Sequence, residues 1–397
     1  MVPDGWELVK LGQVAKVSSG GTPSRAKPEY WGGTIPWVTT AEIDYKGITN
    51  TSEFITEAGL TNSSAKLFPT GTLLVAMYGQ GKTRGKVGYL QIKATTNQAC
   101  AAFLPSSGYS SHYLFHVLSS KYGELRNLSN DGSQKNLSAS LLKAYEIALP
   151  PLAEQKKIAE ILGTWDRAIE VAEKQLKNAQ SQKRALMQQL LTGKRRLKGF
   201  ESSEWTEPCI DDCIKFEGGS QPPKQVFSPI KLDGYVRLIQ IRDFKTDKFA
   251  TYIPKEYAKN SFCPDDIMIG RYGPPVFQVF RGLAGAYNVA LIKAIPKPHV
   301  DKDYAYYFLC TENLFRQIDA LSRRSAGQTG IEMDFLKNYP MPLPSLPEQK
   351  ANAEVLVQAD RSLALSNANL ENLKAQKRAL MQQLLTGKKR VKVDEAA

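Results

Sequence analysis

The chain has 397 residues, 42% hydrophobic and 23% charged, with 52 Lys+Arg against 39 Asp+Glu and a formal net charge of +13. This is the composition of a soluble globular protein long enough for two or three domains, and a balance that basic suits a polyanionic partner, nucleic acid first and an anionic membrane surface second. A membrane span of ~18 apolar residues, a basic-then-apolar secretory start and a disulfide or zinc framework are all absent from the pattern: Cys100, Cys209, Cys213, Cys263 and Cys310 are scattered and odd in number, and read as reduced thiols of a cytoplasmic protein.

In chain order, residues 1–150 read as a mixed α/β domain, with strand-like runs at 35–39, 72–77 and 87–92 and a short helix at 112–118. A helical spacer follows over 151–196. Residues 197–344 repeat the mixed α/β pattern, with strands at 266–271 and 286–293 and a helix at 304–315. A second helical spacer covers 345–397. The chain is written twice: QKRALMQQLLTGK at 182–194 recurs unchanged at 376–388, 194 positions later. The same offset sets Leu149-Pro150-Pro151-Leu152-Ala153-Glu154-Gln155 against Leu343-Pro344-Ser345-Leu346-Pro347-Glu348-Gln349.

Each spacer carries a heptad seam. In the first it runs through Leu162, Trp165, Ile169, Leu176, Leu186 and Leu190; in the second through Leu356, Leu363, Leu370, Leu373, Leu380 and Leu384. Lys183 and Lys377 interrupt the seams and are candidates for fixing register or meeting another protein. Ser345 and Glu348 form a capping-box pattern, and Gly193 and Gly387 are placed as helix stops. Helices of this length, roughly 58 Å at ~1.5 Å per residue, hide their seams by pairing as an antiparallel coiled coil. The expected fold is therefore α/β: two mixed α/β domains in tandem, each followed by a long helix, the two helices pairing.

Few residues could carry catalysis. Ala76-Met77-Tyr78-Gly79-Gln80-Gly81-Lys82-Thr83 fits a loose phosphate loop, which makes a nucleotide-binding protein the alternative from another class. However, Arg84 to Leu90 reads as glycine-rich and then strand-like, where such a loop needs a helix. His112 and His116 share a helix face without a third ligand, and His299 lies alone in a Pro/Lys loop, so no metal site is expected. Tyr272-Gly273-Pro274-Pro275-Val276-Phe277 has glycine where an amino-group methyltransferase loop carries its amine-holding residue.

What remains is a set of basic and amide side chains on glycine-rich loops, the types that hold phosphates and read base edges. The first half offers Arg25, Lys27, Tyr78, Gln80, Lys82, Thr83, Arg84 and Lys86, then Ser133, Gln134 and Lys135. The second offers Arg237, Gln240, Arg242, Arg271, Tyr272, Gln278, Arg281, Arg323, Arg324 and Gln328.

Gly5-Trp6-Glu7, Ser19-Gly20-Gly21-Thr22-Pro23, Ile35-Pro36-Trp37-Val38, the Leu-Pro-x-Leu-x-Glu-Gln starts and the repeated thirteen residues together resemble the specificity subunit of type I restriction–modification systems. The second half departs from the pattern near Glu204-Trp205 and Gly218 to Pro222. The resemblance implies a cytoplasmic, non-catalytic DNA-binding subunit whose two target-recognition domains each read one half of a bipartite duplex target. The helices would set the gap and dock two methyltransferase subunits, and a restriction subunit can join. The chain itself would bind no cofactor; S-adenosylmethionine, ATP and magnesium would belong to those partners. The equivalent subunit of a related bipartite-site system fits the same residues.

Overall fold

The computed structural model describes residues 2–79, 81–128, 136–273, 275–323 and 330–393. The chain forms two compact units, Met1–Glu173 with Ala368–Ala397, and Lys174–Asn367. Each of the two long helices, Leu152–Leu190 and Leu346–Leu384, contributes one part to each unit.

In the first unit a five-stranded sheet runs in the order Val17–Ser19, Cys100–Phe103, Leu73–Ala76, Val87–Leu90, Gly47–Ile48. Leu73 to Ala76 are buried without alternation, as a central strand covered on both faces must be. One face packs on Tyr113, Leu114, Val117 and Leu118 of the helix Ser111–Ser120, and that core continues to Ile158, Leu162 and Leu384 of the long helices. A three-stranded sheet, Glu53–Ile55, Trp31–Val38 and Thr95–Thr96, holds a separate small core around Ile35, Trp37 and Ile55.

The second unit repeats the first sheet's order in four strands: Ile214–Gly218, Leu291–Pro296, Ile267–Gly270, Gln278–Phe280. Its core joins Ile267, Ile269, Tyr304 and Phe308 to Leu190 and Leu356. Two elements are shorter than their apolar runs suggest. The run at 286–293 is split, because residues 288–290 turn between the strands Gly285–Tyr287 and Leu291–Pro296. The run at 304–315 is two helices, Lys302–Leu309 and Glu312–Ser322, separated at Cys310 and Thr311.

Within each unit the helix segments run antiparallel and pack together through the seam. In the first, Lys377 pairs with Asp166 and Lys374 with Glu173 (2.9 Å). In the second, Lys183 pairs with Asp360, and Tyr307 Oη donates to the same carboxylate at 2.7 Å. The two lysines that interrupt the heptads are thus repeat-equivalent, and each meets a repeat-equivalent aspartate of the other helix. Both helices stop where glycine was expected: Gly193 and Gly387 have φ of +70° and +67°, which L side chains resist.

The capping box expected at Ser345 and Glu348 does not form among the described residues. Glu348 is fully buried and instead accepts Arg196 Nε and Nη2 (2.6 and 2.8 Å), Ser203 Oγ (2.8 Å) and Trp205 Nε1 (3.2 Å). Glu154, its counterpart, accepts Arg390 Nε and Nη2 (2.8 Å each) and Trp6 Nε1 (3.1 Å). The neighbouring glutamines act alike. Gln155 accepts from Ser110 N and donates to Pro150 O; Gln349 accepts from Asp301 N and donates to Pro344 O. The Glu-Gln pair is therefore a lock between a helix start and its own unit, and a paired, hydrogen-bonded geometry is what a buried charge requires.

Candidate nucleic-acid interface

In each unit the candidate loop is the mouth of a β-hairpin whose first strand is wholly buried. In the first, Leu73–Ala76 leaves the core, residues 81–85 turn, and Val87–Leu90 returns. Gly79, Gly81 and Gly85 all have positive φ, so the turn needs residues without a Cβ barrier. Gly85 N and Lys86 O close its base on Ala76 at 2.8 and 2.9 Å. The hairpin leads from turn to strand, with no helix start at Lys82 and Thr83, so the phosphate-loop alternative loses the element it depends on.

Side chains brace this loop from the helix Tyr122–Asn127. Tyr122 Oη donates to Lys82 O (2.9 Å), Arg84 Nη2 to Arg126 O (3.1 Å), and Arg126 Nη1 to Tyr122 Oη (2.9 Å). Lys86 pairs with Asp44 at 2.7 Å. Lys82 and Tyr78 are left on the surface, the tyrosine 42% exposed. Leu137 N donates to Met77 O at 3.1 Å, which brings the chain just beyond residues 129–135 back to the strand end. Gln80, Ser133, Gln134 and Lys135 lie outside the described residues.

Arg25 and Lys27 belong to a different surface. Arg25 lies 3.7 Å over Trp31 and grips Glu53 with both Nη atoms at 2.7 Å, and this bond holds the Glu53 carboxyl below its ordinary range. Lys27 Nζ donates to Tyr30 Oη at 3.0 Å.

The second unit's hairpin joins Ile267–Gly270 to Gln278–Phe280. Arg271 N donates to Ala290 O (2.8 Å), and Ile331 N donates to Arg271 O (3.2 Å). Met77 and Arg271 are 194 apart, as are Leu137 and Ile331, so one hydrogen bond recurs at the same place in both units. Tyr272 pairs with Gly330 as an isolated bridge and stays 36% exposed, with the Arg271 guanidinium 5.4 Å from its ring. Gln278 Nε2 donates to Pro275 O at 2.9 Å. Arg324 and Gln328 lie outside the described residues, and Arg323 is exposed beside Asp319 (2.8 Å).

Other candidates in this unit separate by role. Arg281 lies inward, bonded to Asp303 and to Lys302 O (2.8 Å) over the Tyr306 ring. Arg237 is drawn between Asp247 (2.7 Å) and Asp243 (3.5 Å). Gln240 Nε2 reaches Thr251 Oγ1 at 3.4 Å. Arg242 is exposed and lies 5.5 Å from the Phe249 ring, with Lys248 5.6 Å from the same ring. Phe249, 51% exposed between two cations, was not expected from the sequence; its signal was one aromatic residue inside the polar run Thr246-Asp247-Lys248-Phe249.

Among the described residues no group of three His, Cys, Asp or Glu side chains could hold a metal, and no helix is long and apolar enough to cross a membrane. His116 is buried, with Nε2 3.8 Å from Asp166, and burial together with the Lys377 charge pushes it down to about 3. In the second unit a groove of about 940 Å³ lies between Ser181, Arg184, Gln188 and Lys194 on one side and Asn313 and Phe315 on the other.

The family model described as "Type I restriction modification DNA specificity domain" matches residues 3–180 and again 202–375. The MjaVIII type I restriction enzyme specificity subunit of Methanocaldococcus jannaschii is 26% identical over 98% of this chain and 94% of its own. The MjaIX specificity subunit of the same organism is 34% identical over 44% of this chain, and the match spans 41% of that relative. Among solved structures, the type I restriction–modification S subunit from M. genitalium aligns over 96% of both chains with a TM-score of 0.63 at 14% identity, a likeness of fold. With its domain present twice and nearly the whole chain matched, this protein belongs to the type I restriction–modification DNA specificity family.

Proposed function

We propose that the chain is the non-catalytic subunit that reads a bipartite duplex DNA target for a type I complex, one half-site per unit. The observation that carries this reading is the repeated hairpin mouth. Two similar mounts, pinned by the same hydrogen bond at Met77 and Arg271, present different side chains. That is the arrangement needed to read two different half-sites from one scaffold.

The base-reading candidates narrow to Arg271 and Gln278 in the second unit and to Lys82 and Thr83 at the first hairpin, with Arg242 beside Phe249. Arg84, Arg237 and Arg281 spend their guanidinium groups inside the protein and serve to shape the loops. The helices act as the spacer between half-sites and as the docking surface for two methyltransferase subunits. S-adenosylmethionine, ATP and magnesium belong to those partners and to any restriction subunit that joins. The antiparallel lysine–aspartate pairs support a defined register, and the groove beside Arg184 and Asn313 offers a partner surface.

The test is methylation mapping in a host carrying the chain with its companion methyltransferase subunit. A two-part motif with a fixed gap, lost when the chain is removed, is expected. An active complex with no such motif would sink the proposal. Inserting a helical turn into both long helices should change the gap; an unchanged gap would remove the spacer role alone.

A further inference from the structure

The internal repeat sorts the hairpin residues into shared and unshared. Between residues 71–88 and 265–282, aligned at the offset of 194, only Tyr78/Tyr272, Gly79/Gly273 and Gly88/Gly282 are identical. Strand residues change among apolar types, Leu73-Leu74-Val75-Ala76 against Ile267-Met268-Ile269-Gly270, as burial requires. At the mouth Met77 stands against Arg271; beyond the shared glycine the second hairpin is two residues shorter, since Val75 pairs with Val87 but Ile269 with Val279, and exposed Lys82 on the first has buried Val276 and Phe277 near its place on the second.

A retained tyrosine in this setting needs a reason. Core packing does not supply it, because the two residues stay 42% and 36% exposed and Tyr272 meets the fold at Gly330 and Arg271. Each tyrosine follows the residue whose carbonyl accepts the recurring hydrogen bond from Leu137 or Ile331, and precedes a glycine with φ of +129° or +101°. It is therefore presented from a pinned strand end at the same point of both hairpins. Among the described residues neither phenol hydroxyl has a hydrogen-bond partner.

Residues that differ between two readers can account for different half-sites; a residue common to both serves something both half-sites possess. In duplex DNA that common feature is the sugar–phosphate backbone, and tyrosine is among the side chains that bind phosphate oxygens and fix register without carrying sequence information. The geometry points to Tyr78 and Tyr272 as a matched pair of backbone anchors. Each phenol hydroxyl donates to a phosphate oxygen and sets its reader's position on the duplex, leaving base reading to the unmatched residues. This rests on the DNA-reading function proposed above.

The experiment uses the chain assembled with its methyltransferase subunit. The wild-type motif is mapped first, which tests the underlying reading by itself: a complex that methylates no two-part motif overturns that reading and the anchors with it. Tyr78→Phe and Tyr272→Phe are then measured by equilibrium binding on the mapped duplex, on duplexes with either half-site scrambled, and on unrelated duplex. Each variant should lose about tenfold on every duplex, the value of one charge-assisted hydrogen bond, with the methylated motif unchanged and the two losses alike. Relaxation of one base position in the motif would make the tyrosine a base reader and overturn the anchor. Phenylalanine variants that bind like wild type, whether or not Tyr78→Ala and Tyr272→Ala bind weakly, would equally overturn it, since the hydroxyl would then have no phosphate.

Discussion

The two units lock their helix starts with the same chemistry drawn from different stretches of chain. Around Glu348 the partners Arg196, Ser203 and Trp205 come from one short segment just beyond the first long helix. Around Glu154 the partners are Trp6 and Arg390, almost the full length of the sequence apart. Trp6 and Trp205 are not related by the repeat offset, and the sequence departs from its pattern at Trp205, yet both indoles donate to the equivalent carboxylate. What is kept between the halves is the buried charge and its satisfied geometry. What the fold leaves free to vary is the exposed part of the hairpin mouth, Tyr78 and Lys82 in one unit and Tyr272 in the other, where a changed side chain costs the fold little, while Met77, Val276 and Phe277 at the same mouths are buried.

The comparison breaks most visibly at the locks. Removing Glu348 leaves Arg196 Nε and the Trp205 indole without their acceptor and takes the counter-charge from the Arg196 guanidinium, which keeps only the Phe200 and Ser203 oxygens, so Glu348→Ala should cost about 3–5 kcal/mol in urea unfolding of the full chain. If the locks are equivalent, Glu154→Ala costs a similar amount. A loss several-fold smaller would show that the short covalent segment around Arg196 strengthens one lock over the other.

Acid should separate the units next. Position 116 is histidine and its repeat partner is Cys310. The buried imidazole titrates at about 3, below its ordinary 6.5, because burial, Lys377 and His112 disfavour its charge. The unfolded chain therefore binds a proton below pH 6.5 that the folded chain refuses, and stability present above that pH is lost as pH falls toward 3. Burial also pushes Asp166 up, which acts in the opposite sense as pH falls, so the histidine's part, about 2 kcal/mol between pH 6.5 and 5, is read as the difference between the wild-type chain and a variant without the imidazole. His116→Cys should flatten that slope; an unchanged slope would assign the acid sensitivity elsewhere.

On DNA, Arg271→Ala should cost about 1–3 kcal/mol on the mapped target and relax one position of one half-site. Arg84→Ala, whose guanidinium serves the Arg126 carbonyl, should weaken binding without relaxing a base. Equal relaxation by both would return Arg84 to the reading surface. The smallest effect belongs to the helix pairs: a double-mutant cycle on Lys183 and Asp360 should give a coupling below about 1 kcal/mol, as for partly exposed ion pairs, and the Lys377–Asp166 cycle should match it.

The architecture was legible because it rests on periodicity and repetition. The heptad seams, the glycine stops, the buried strands and the 194-residue offset are all one-dimensional signals of what must be buried. The proposed reading surface was legible only as a pool of residue types. Arg25, Arg84, Arg237 and Arg281 look alike in sequence to Arg271, and their placement among Glu53, the Arg126 carbonyl, Asp247 and Asp303 distinguishes them. Ser345-x-x-Glu348 shows the same limit, since its local signal was a cap and its actual partners stand 143 to 152 residues away.

The doubled plan, the helical segments and the family can be read from the chain alone, because apolar spacing and near-copied segments act locally along it. Which charges are spent inside, where the two glutamates are locked, and which tyrosines remain on the surface come from packing, because an ion pair or a hydrogen bond depends on distance in space, and separation along the chain does not set that distance.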